Sequence, residues 1–292
     1  MEKSKNKYQK IFANLPDIYF ETDMDGTIVT ISPSAYKNTG YDIDTLIGEN
    51  INLLFKGNKY SMLFSLLLSS GQAVSNYEIE LTSKDKKIHH TLVSVNFLFD
   101  ENGTKIGVFG LIKDICDRKQ LVDELYKFAT YDEMTGVYNR RVGIEFLNQE
   151  LKKIKRGNTF LSICFIDIND LKIVNDNFGH EAGDNLINII VHDIKKAMRE
   201  SDILCRLGGD EFLLIFPDCK LDKVKIIWKR VQKSLKKRNK DKLNPYQISA
   251  SYGFAETNSK NPLSCEELLN IADKRMYSNK RRTKKNLLKT DF

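Results

Sequence analysis

Long apolar runs are absent from this chain. The longest, Ser61 to Leu68, is far too short to span a bilayer, so no transmembrane segment is expected. The first residues, Met1-Glu-Lys-Ser-Lys-Asn-Lys7, are polar and lack the apolar stretch of a secretory signal, which favours a cytoplasmic protein with no membrane partner. Paired cysteines are missing too. The five (Cys116, Cys164, Cys205, Cys219 and Cys265) are scattered, odd in number and form no C-x-x-C, so neither a disulfide framework nor a zinc site is expected. Cys164 and Cys205 lie in apolar strand-like runs and read as small buried hydrophobes. No basic motif interleaved with aromatics appears, which argues against nucleic acid as a partner despite a net charge of +7. Much of that excess lies in 223–242 and 274–289 and reads mostly as solvated helical faces.

What is present suits two domains. The chain has 292 residues, 41% hydrophobic and 29% charged, too long for one ordinary core and far from the composition of a disordered chain. Residues 8–116 read as a first domain: a helix, a hairpin around Asp25-Gly26, short helices to Gly71, then strands at 76–82, 89–98 and 105–115. A five-stranded antiparallel sheet with short helices on one face accounts for this order. Residues 117–130 read as a helical linker with Leu121, Leu125 and Phe128 at i, i+4 and i+7, a stripe suited to pairing with a second copy or to packing on its own domain. Residues 131–290 alternate helix and strand: helices at 140–155, 183–200, 221–237 and 265–280, and strands at 159–167, 203–207, 212–216 and 247–255. Helices around a mixed central sheet, an α/β or α+β architecture, are the expectation for this half.

Three acids carry chemical promise. Asp167 closes an apolar strand, where a carboxylate is costly unless it is paired or bound to a cation. Asp210 and Glu211 follow Gly208-Gly209 at the turn of a hairpin. If the strands are neighbours, the carboxylates converge on one patch that suits a hard divalent ion, most simply magnesium. Taken alone, Gly-Gly-Asp-Glu is equally compatible with a surface turn.

Gly208-Gly-Asp-Glu-Phe212 resembles the signature of the GGDEF family of diguanylate cyclases, and four further segments resemble family motifs in the same order. They are Asp132-Glu-Met-Thr-Gly-Val-Tyr-Asn-Arg-Arg141; Asp167-Ile-Asn-Asp-Leu-Lys172 with Asn175-Asp176, Gly179-His180 and Gly183-Asp184; Ser249-Ala-Ser-Tyr-Gly-Phe-Ala255; and Ala272-Asp-Lys-Arg-Met-Tyr277 with Lys280. The resemblance implies a magnesium-dependent enzyme, with manganese as an alternative ion, that joins two GTP into cyclic di-GMP as a homodimer. It implies metal ligation by Asp167, the carbonyl of Ile168, Asp210 and Glu211, with Asp210 as base toward the ribose 3′-hydroxyl and Lys172 stabilising phosphate charge. It places Asn175 and Asp184 on the guanine edge, His180 and Gly208-Gly209 beside the nucleotide, and Lys280 on the terminal phosphates. Lys284 takes the place of a usual phosphate-binding arginine. Arg199 and Asp202, in R-x-x-D just before the hairpin, with Arg230, would bind cyclic di-GMP as an inhibitor. Asn169 departs from the family, which often has a second aspartate there.

The first domain resembles a PAS domain through Leu15-Pro16-Asp17, Thr22-Asp23-Met24-Asp25-Gly26, Gly40-Tyr41, Leu46-Ile47-Gly48 and the exit Asp114-Ile-Cys-Asp-Arg-Lys119. It carries no flavin-reactive cysteine motif, His89 and His90 read as solvent-facing or satisfied, and its cofactor is left open. The rival to an enzyme is a catalytically silent GGDEF domain that binds GTP or cyclic di-GMP and relays a signal. Retention of Asp167, Asp210 and Glu211 favours the enzyme.

Overall fold

The computed structural model describes residues 2–57, 59–154, 157, 159–241 and 244–287, with side chains left out at 2–6, 8 and 284–287. The chain divides into two compact units, and the division falls between Glu124 and Leu125.

In the first unit, helix α1 (Glu2–Ala13) precedes the hairpin of β1 (Ile18–Thr22) and β2 (Ile28–Ile31). Asp23 fixes the turn by accepting the backbone N–H groups of Asp25 and Thr27 through Oδ1, at 3.0 and 2.8 Å, an Asx-type arrangement. Helices α2 (Ser34–Thr39), α3 (Ile43–Leu46) and α4 (Lys59–Ser70), with a 3-10 turn at Ile51–Leu54, lead to β3 (Val74–Thr82), β4 (Ile88–Phe99) and β5 (Lys105–Asp114). The sheet order is β2-β1-β5-β4-β3, antiparallel throughout. Alternate residues of β4 (Thr91, Val93, Val95 and Phe97) turn into a core shared with Phe20, Leu46, Leu54, Leu63 and Leu67. Each such side chain contributes roughly 1.5–3 kcal/mol by leaving water.

Helix α5 (Cys116–Thr130) buries none of its residues. Leu121, Leu125 and Phe128 are 60%, 66% and 74% exposed, so the stripe read from the sequence is left open to solvent in this chain.

The second unit continues with α6 (Arg140–Ile154), β6 (Phe160–Ile168), α7 (Leu171–Phe178), α8 (His180–Ala197), β7 (Ile203–Gly208), β8 (Glu211–Pro217), α9 (Leu221–Lys240), β9 (Ala250–Asn258) and α10 (Cys265–Leu287). The strand order is β7-β8-β6-β9. These four strands pair antiparallel, and the parallel component of the sheet is a single bridge between Tyr138 and Cys205. Central β6 is covered on both faces, which is why its sequence is nearly continuously apolar, interrupted only by Ser162 and Asp167. Cys164, Ile166 and Ile168 face Leu186, Ile190 and Trp228 of α8 and α9. Leu161, Ile163 and Phe165 face Leu147 and Leu151 of α6 and Ala272 and Met276 of α10.

Several boundaries differ from the sequence reading; α8, read as 183–200, runs His180–Ala197, and α10, read as 265–280, runs on to Leu287. Helix α7 occupies a stretch that reads there only as motif. Strand β9 starts at Ala250 rather than at 247, because Ile248 exchanges both backbone hydrogen bonds with the Asn239 side chain at the end of α9 (2.8 and 2.9 Å). It runs on to Asn258 because β6 pairs with it as far as Phe160.

Candidate active site

Strand register assembles the acidic patch. Asp167 lies directly opposite Glu211 on β8, and the Ile168 N–H donates to the Asp210 carbonyl at 3.0 Å. Two glycines with positive φ (+152° at Gly208, +49° at Gly209) make the turn that delivers Asp210 beside this pair. Asp167 is buried, while Asp210 and Glu211 are half-buried. Burial, then the charges of Asp210, Asp167 and Asp273, push the Glu211 carboxyl above the ordinary glutamate range, and the Arg140 guanidinium offsets part of this. The strand register brings carboxylates near one another and offers oxygen donors of the kind a hard divalent cation takes, although their oxygens do not all lie within 4.8 Å of one another in this structure. The backbone at Ile168 lies within the patch through its bond to Asp210.

Lys280 approaches from α10. Its Nζ lies 2.6 and 2.7 Å from the two oxygens of Asp167, so in this structure it grips the strand-end carboxylate. Gly253 makes that approach feasible. A Cβ at this position would lie 2.0 Å from the Ala272 carbonyl oxygen and 2.3 Å from the Met276 nitrogen, so a bare backbone is needed for α10 to lie against β9. The side chain of Lys284 lies outside those described.

The turn from β6 into α7 explains the departure at Asn169. This buried amide donates to Ser249 Oγ (2.9 Å) and accepts from Ser251 Oγ (2.7 Å), tying the end of β6 to the start of β9. An amide supplies a donor and an acceptor without adding a fourth negative charge to the patch. Beyond it, α7 and α8 carry Lys172, His180 and Asp184 as exposed residues and Asn175 as a half-buried one. Asn175 Oδ1 is enclosed against Gly183 and takes no hydrogen bond among the described residues. An enclosed amide oxygen without a donor is a group that a bound base can complete.

The residues of the proposed inhibitory site lie elsewhere. Arg199 and Arg230 are exposed, and Asp202 is half-buried. The Asp202 carboxylate accepts the Arg199 backbone N–H at 2.8 Å, closing the turn between α8 and β7. Burial pushes its carboxyl up, and the Arg199 contacts only partly counter that.

One positioning residue was missed from sequence. Arg206, two residues before the glycines, donates to both oxygens of Asp132 (3.1 and 3.2 Å) and to the Gly209 carbonyl (3.0 and 2.7 Å). It clamps the hairpin turn to the opening motif. The same motif holds the end of α5, since Asn139 and Arg141 each donate to the Ala129 carbonyl at 2.9 Å. The usable signal was an arginine on a strand leading into an acidic turn, where a fork-shaped cation can hold backbone and carboxylate together.

Comparisons with known proteins agree with this geometry. The family described as "Diguanylate cyclase, GGDEF domain" matches residues 129–286, and the PAS fold matches 6–115. Among curated proteins, the probable diguanylate cyclase DgcE of Escherichia coli is 27% identical over 72% of this chain and 19% of its own length. The cyclic di-GMP phosphodiesterase PdeB of Shewanella oneidensis is 26% identical over 86% of this chain and 29% of its own. The diguanylate cyclase DgcM of Escherichia coli is 24% identical over 94% and 66%. The chain thus spans between about a fifth and two thirds of these relatives. The crystal structure of the coiled coil and GGDEF domain of DgcB from Caulobacter crescentus, in complex with c-di-GMP, superposes with a TM-score of 0.51 over 56% of this chain and 87% of that one, at 24% identity, a likeness of fold. On matched family, register and acidic patch together, the chain belongs to the GGDEF family of diguanylate cyclase domains, here preceded by a PAS fold.

Proposed function

We propose that this protein condenses two GTP into cyclic di-GMP with release of two pyrophosphates. The observation that carries the reading is the register that sets Asp167 across from Glu211 with Asp210 on the adjoining turn. A magnesium ion held by Asp167, Asp210, Glu211 and the Ile168 carbonyl would neutralise phosphate charge and lower the pKa of the attacking hydroxyl. The chain's own groups do the remaining work. Asn175 and Asp184 hold the guanine edge, and a wrong base would leave Asn175 unpaired. His180 and Gly208-Gly209 border the nucleotide. Lys172 and Lys280 meet the phosphates, which requires Lys280 to exchange Asp167 for a phosphate oxygen. Asp210 takes the proton from the ribose 3′-oxygen, which attacks the α-phosphorus of the opposite GTP as pyrophosphate leaves. Positioning and electrostatics supply most of the acceleration in such transfers.

One domain provides half of this arrangement, so turnover needs two copies. The open stripe of α5 supports a homodimer paired through that helix and the PAS domain. The grip of Asn139 and Arg141 on Ala129, and of Arg206 on Asp132 and Gly209, offers a route from the connector to the hairpin by which the PAS domain regulates activity. Arg199, Asp202 and Arg230 serve as the product-binding set for inhibition.

The Lys280–Asp167 pair favours a second reading, a silent domain that binds GTP or cyclic di-GMP and relays a signal, because an ammonium on that carboxylate competes with a cation. Incubation with GTP and magnesium, with nucleotides separated by chromatography, decides between them. Cyclic di-GMP from the native chain and none from Asp210→Ala supports the enzyme. Binding of GTP without product, in protein shown to be dimeric and free of bound cyclic di-GMP, assigns the relay.

A further inference from the structure

A second cluster of ligand-type side chains lies at the exit of the PAS fold, far from the acidic patch in sequence. His89 comes from the start of β4, Asp114 ends β5, and Cys116 opens α5. The potential ligand atoms of these three residues all lie within 4.8 Å of one another, and no other such trio of histidine, cysteine or acid occurs among the described residues. His89 Nδ1 is 2.9 Å from Asp114 Oδ2. Nitrogen and oxygen bound to one zinc-type ion at about 2.0 Å each stand about 3 Å apart, so this edge already has the spacing of a ligand pair.

The surroundings supply what such a site requires. Asp114 divides its oxygens: Oδ1 accepts the Cys116 N–H at 2.7 Å and caps the first turn of α5, while Oδ2 turns to His89. The Cys116 sulfur is held in turn by the His90 N–H at 3.2 Å. Outer contacts of this kind orient ligands before an ion arrives. His89 and Asp114 also wall a cavity of about 60 Å³ that Asp17, Asn38 and Thr91 line as well. It has room for one or two waters to fill open coordination positions.

We propose that His89, Asp114 and Cys116 form a binding site for one divalent transition-metal ion of the zinc type, placed where β5 passes into the connector helix. The mixed nitrogen, oxygen and sulfur donors select against magnesium, which takes oxygen ligands. The site therefore discriminates chemically from the acidic patch, and its occupancy bears on the first turn of α5. Sequence spacing gave no sign of it, because 25 residues separate His89 from Asp114 and no second cysteine stands near Cys116.

The test uses the full untagged chain stripped with chelator. Cobalt(II) is titrated in while the near-ultraviolet thiolate-to-cobalt band is recorded, and zinc is then added. One equivalent of cobalt should raise the band, zinc should abolish it, and excess magnesium should leave it intact. Cys116→Ser should remove the band, and His89→Gln should weaken binding at least about tenfold. Cys265→Ser should leave the cobalt band unchanged. Absence of the band in the native chain, or its persistence in Cys116→Ser, overturns the proposal. These readouts do not depend on GTP turnover, so they stand apart from the proposed cyclase activity.

Discussion

Both domains carry a carboxylate at or next to the end of a central strand, and the two strand ends are built differently. β5 lies at the middle of the PAS sheet and stops at Asp114; β6 lies inside the second sheet and carries Asp167 just before its last residue, Ile168. Around Asp167 stand Glu211, Asp210 and the Lys280 ammonium, and burial, then the neighbouring acids, raise the Glu211 carboxyl. Around Asp114 the neighbours are an imidazole, a thiol and a helix N-terminus. Burial raises its carboxyl, but the Cys116 N–H and His89 outweigh that, and the group lies below the ordinary aspartate range. The same sequence feature, an acid closing an apolar run, thus becomes a destabilised cluster in one domain and a satisfied one in the other. A cation relieves the first, whereas the second is already a folded junction.

Perturbation should separate the two. The largest effect is expected for Asp167→Ala, which should cut cyclic di-GMP formation by about 10³-fold or more, the scale of losing a group that stabilises transition-state charge. The same protein should keep its cobalt band, and loss of both signals would show that the clusters are not independent. Gly253→Ala comes next. Its Cβ collides with the α10 backbone, so it should cost about 1–3 kcal/mol in denaturant unfolding and reduce turnover through displaced Lys280. Arg206→Ala frees the hairpin from Asp132, which is 23% exposed in its side chain; a loss of about 2 kcal/mol is expected, read by denaturant unfolding, with kcat falling more than KM rises. Asp114→Ala removes the carboxylate that accepts the Cys116 N–H and should cost about 1 kcal/mol in chelated protein, with turnover retained once magnesium is restored.

The smallest effect is the pH dependence of Glu211. Its folded pKa lies above the ordinary 4.5, so the folded state holds the proton longer, and stability falls as pH rises through the window from 4.5 to that raised value. In metal-free protein, Glu211→Gln should therefore raise Tm at neutral pH and change little below 4.5. An unchanged difference across that range would show that Glu211 carries no strain from its neighbours.

Much of this was legible before any fold was seen, where local chemistry is compulsory. Asp25-Gly26 pointed to the hairpin turn that Asp23 then fastens, and the nearly continuous apolar run 159–167 pointed to a strand that the structure places inside its sheet. The motif residues Asp167, Asp210 and Glu211 were expected to converge if their strands were neighbours, and the register sets Asp167 opposite Glu211. Contacts across long loops were not legible. Nothing near Arg206 announces Asp132, and nothing near Asn169 announces Ser249 and Ser251. The start of β9 was misplaced because Ile248 is apolar enough for a strand, yet Asn239 captures its backbone first.

The sequence by itself determined most of the element types and the family, because periodicity and motif order are properties of neighbouring residues. The tertiary structure alone decided what those groups meet: Lys280 on Asp167, a Glu211 carboxyl raised by burial and its acidic neighbours, and His89 beside Asp114 and Cys116 at the entrance to α5. Burial and pairing depend on which distant segments pack together. No local pattern encodes that, and the charge state and ligand chemistry of each cluster follow from it.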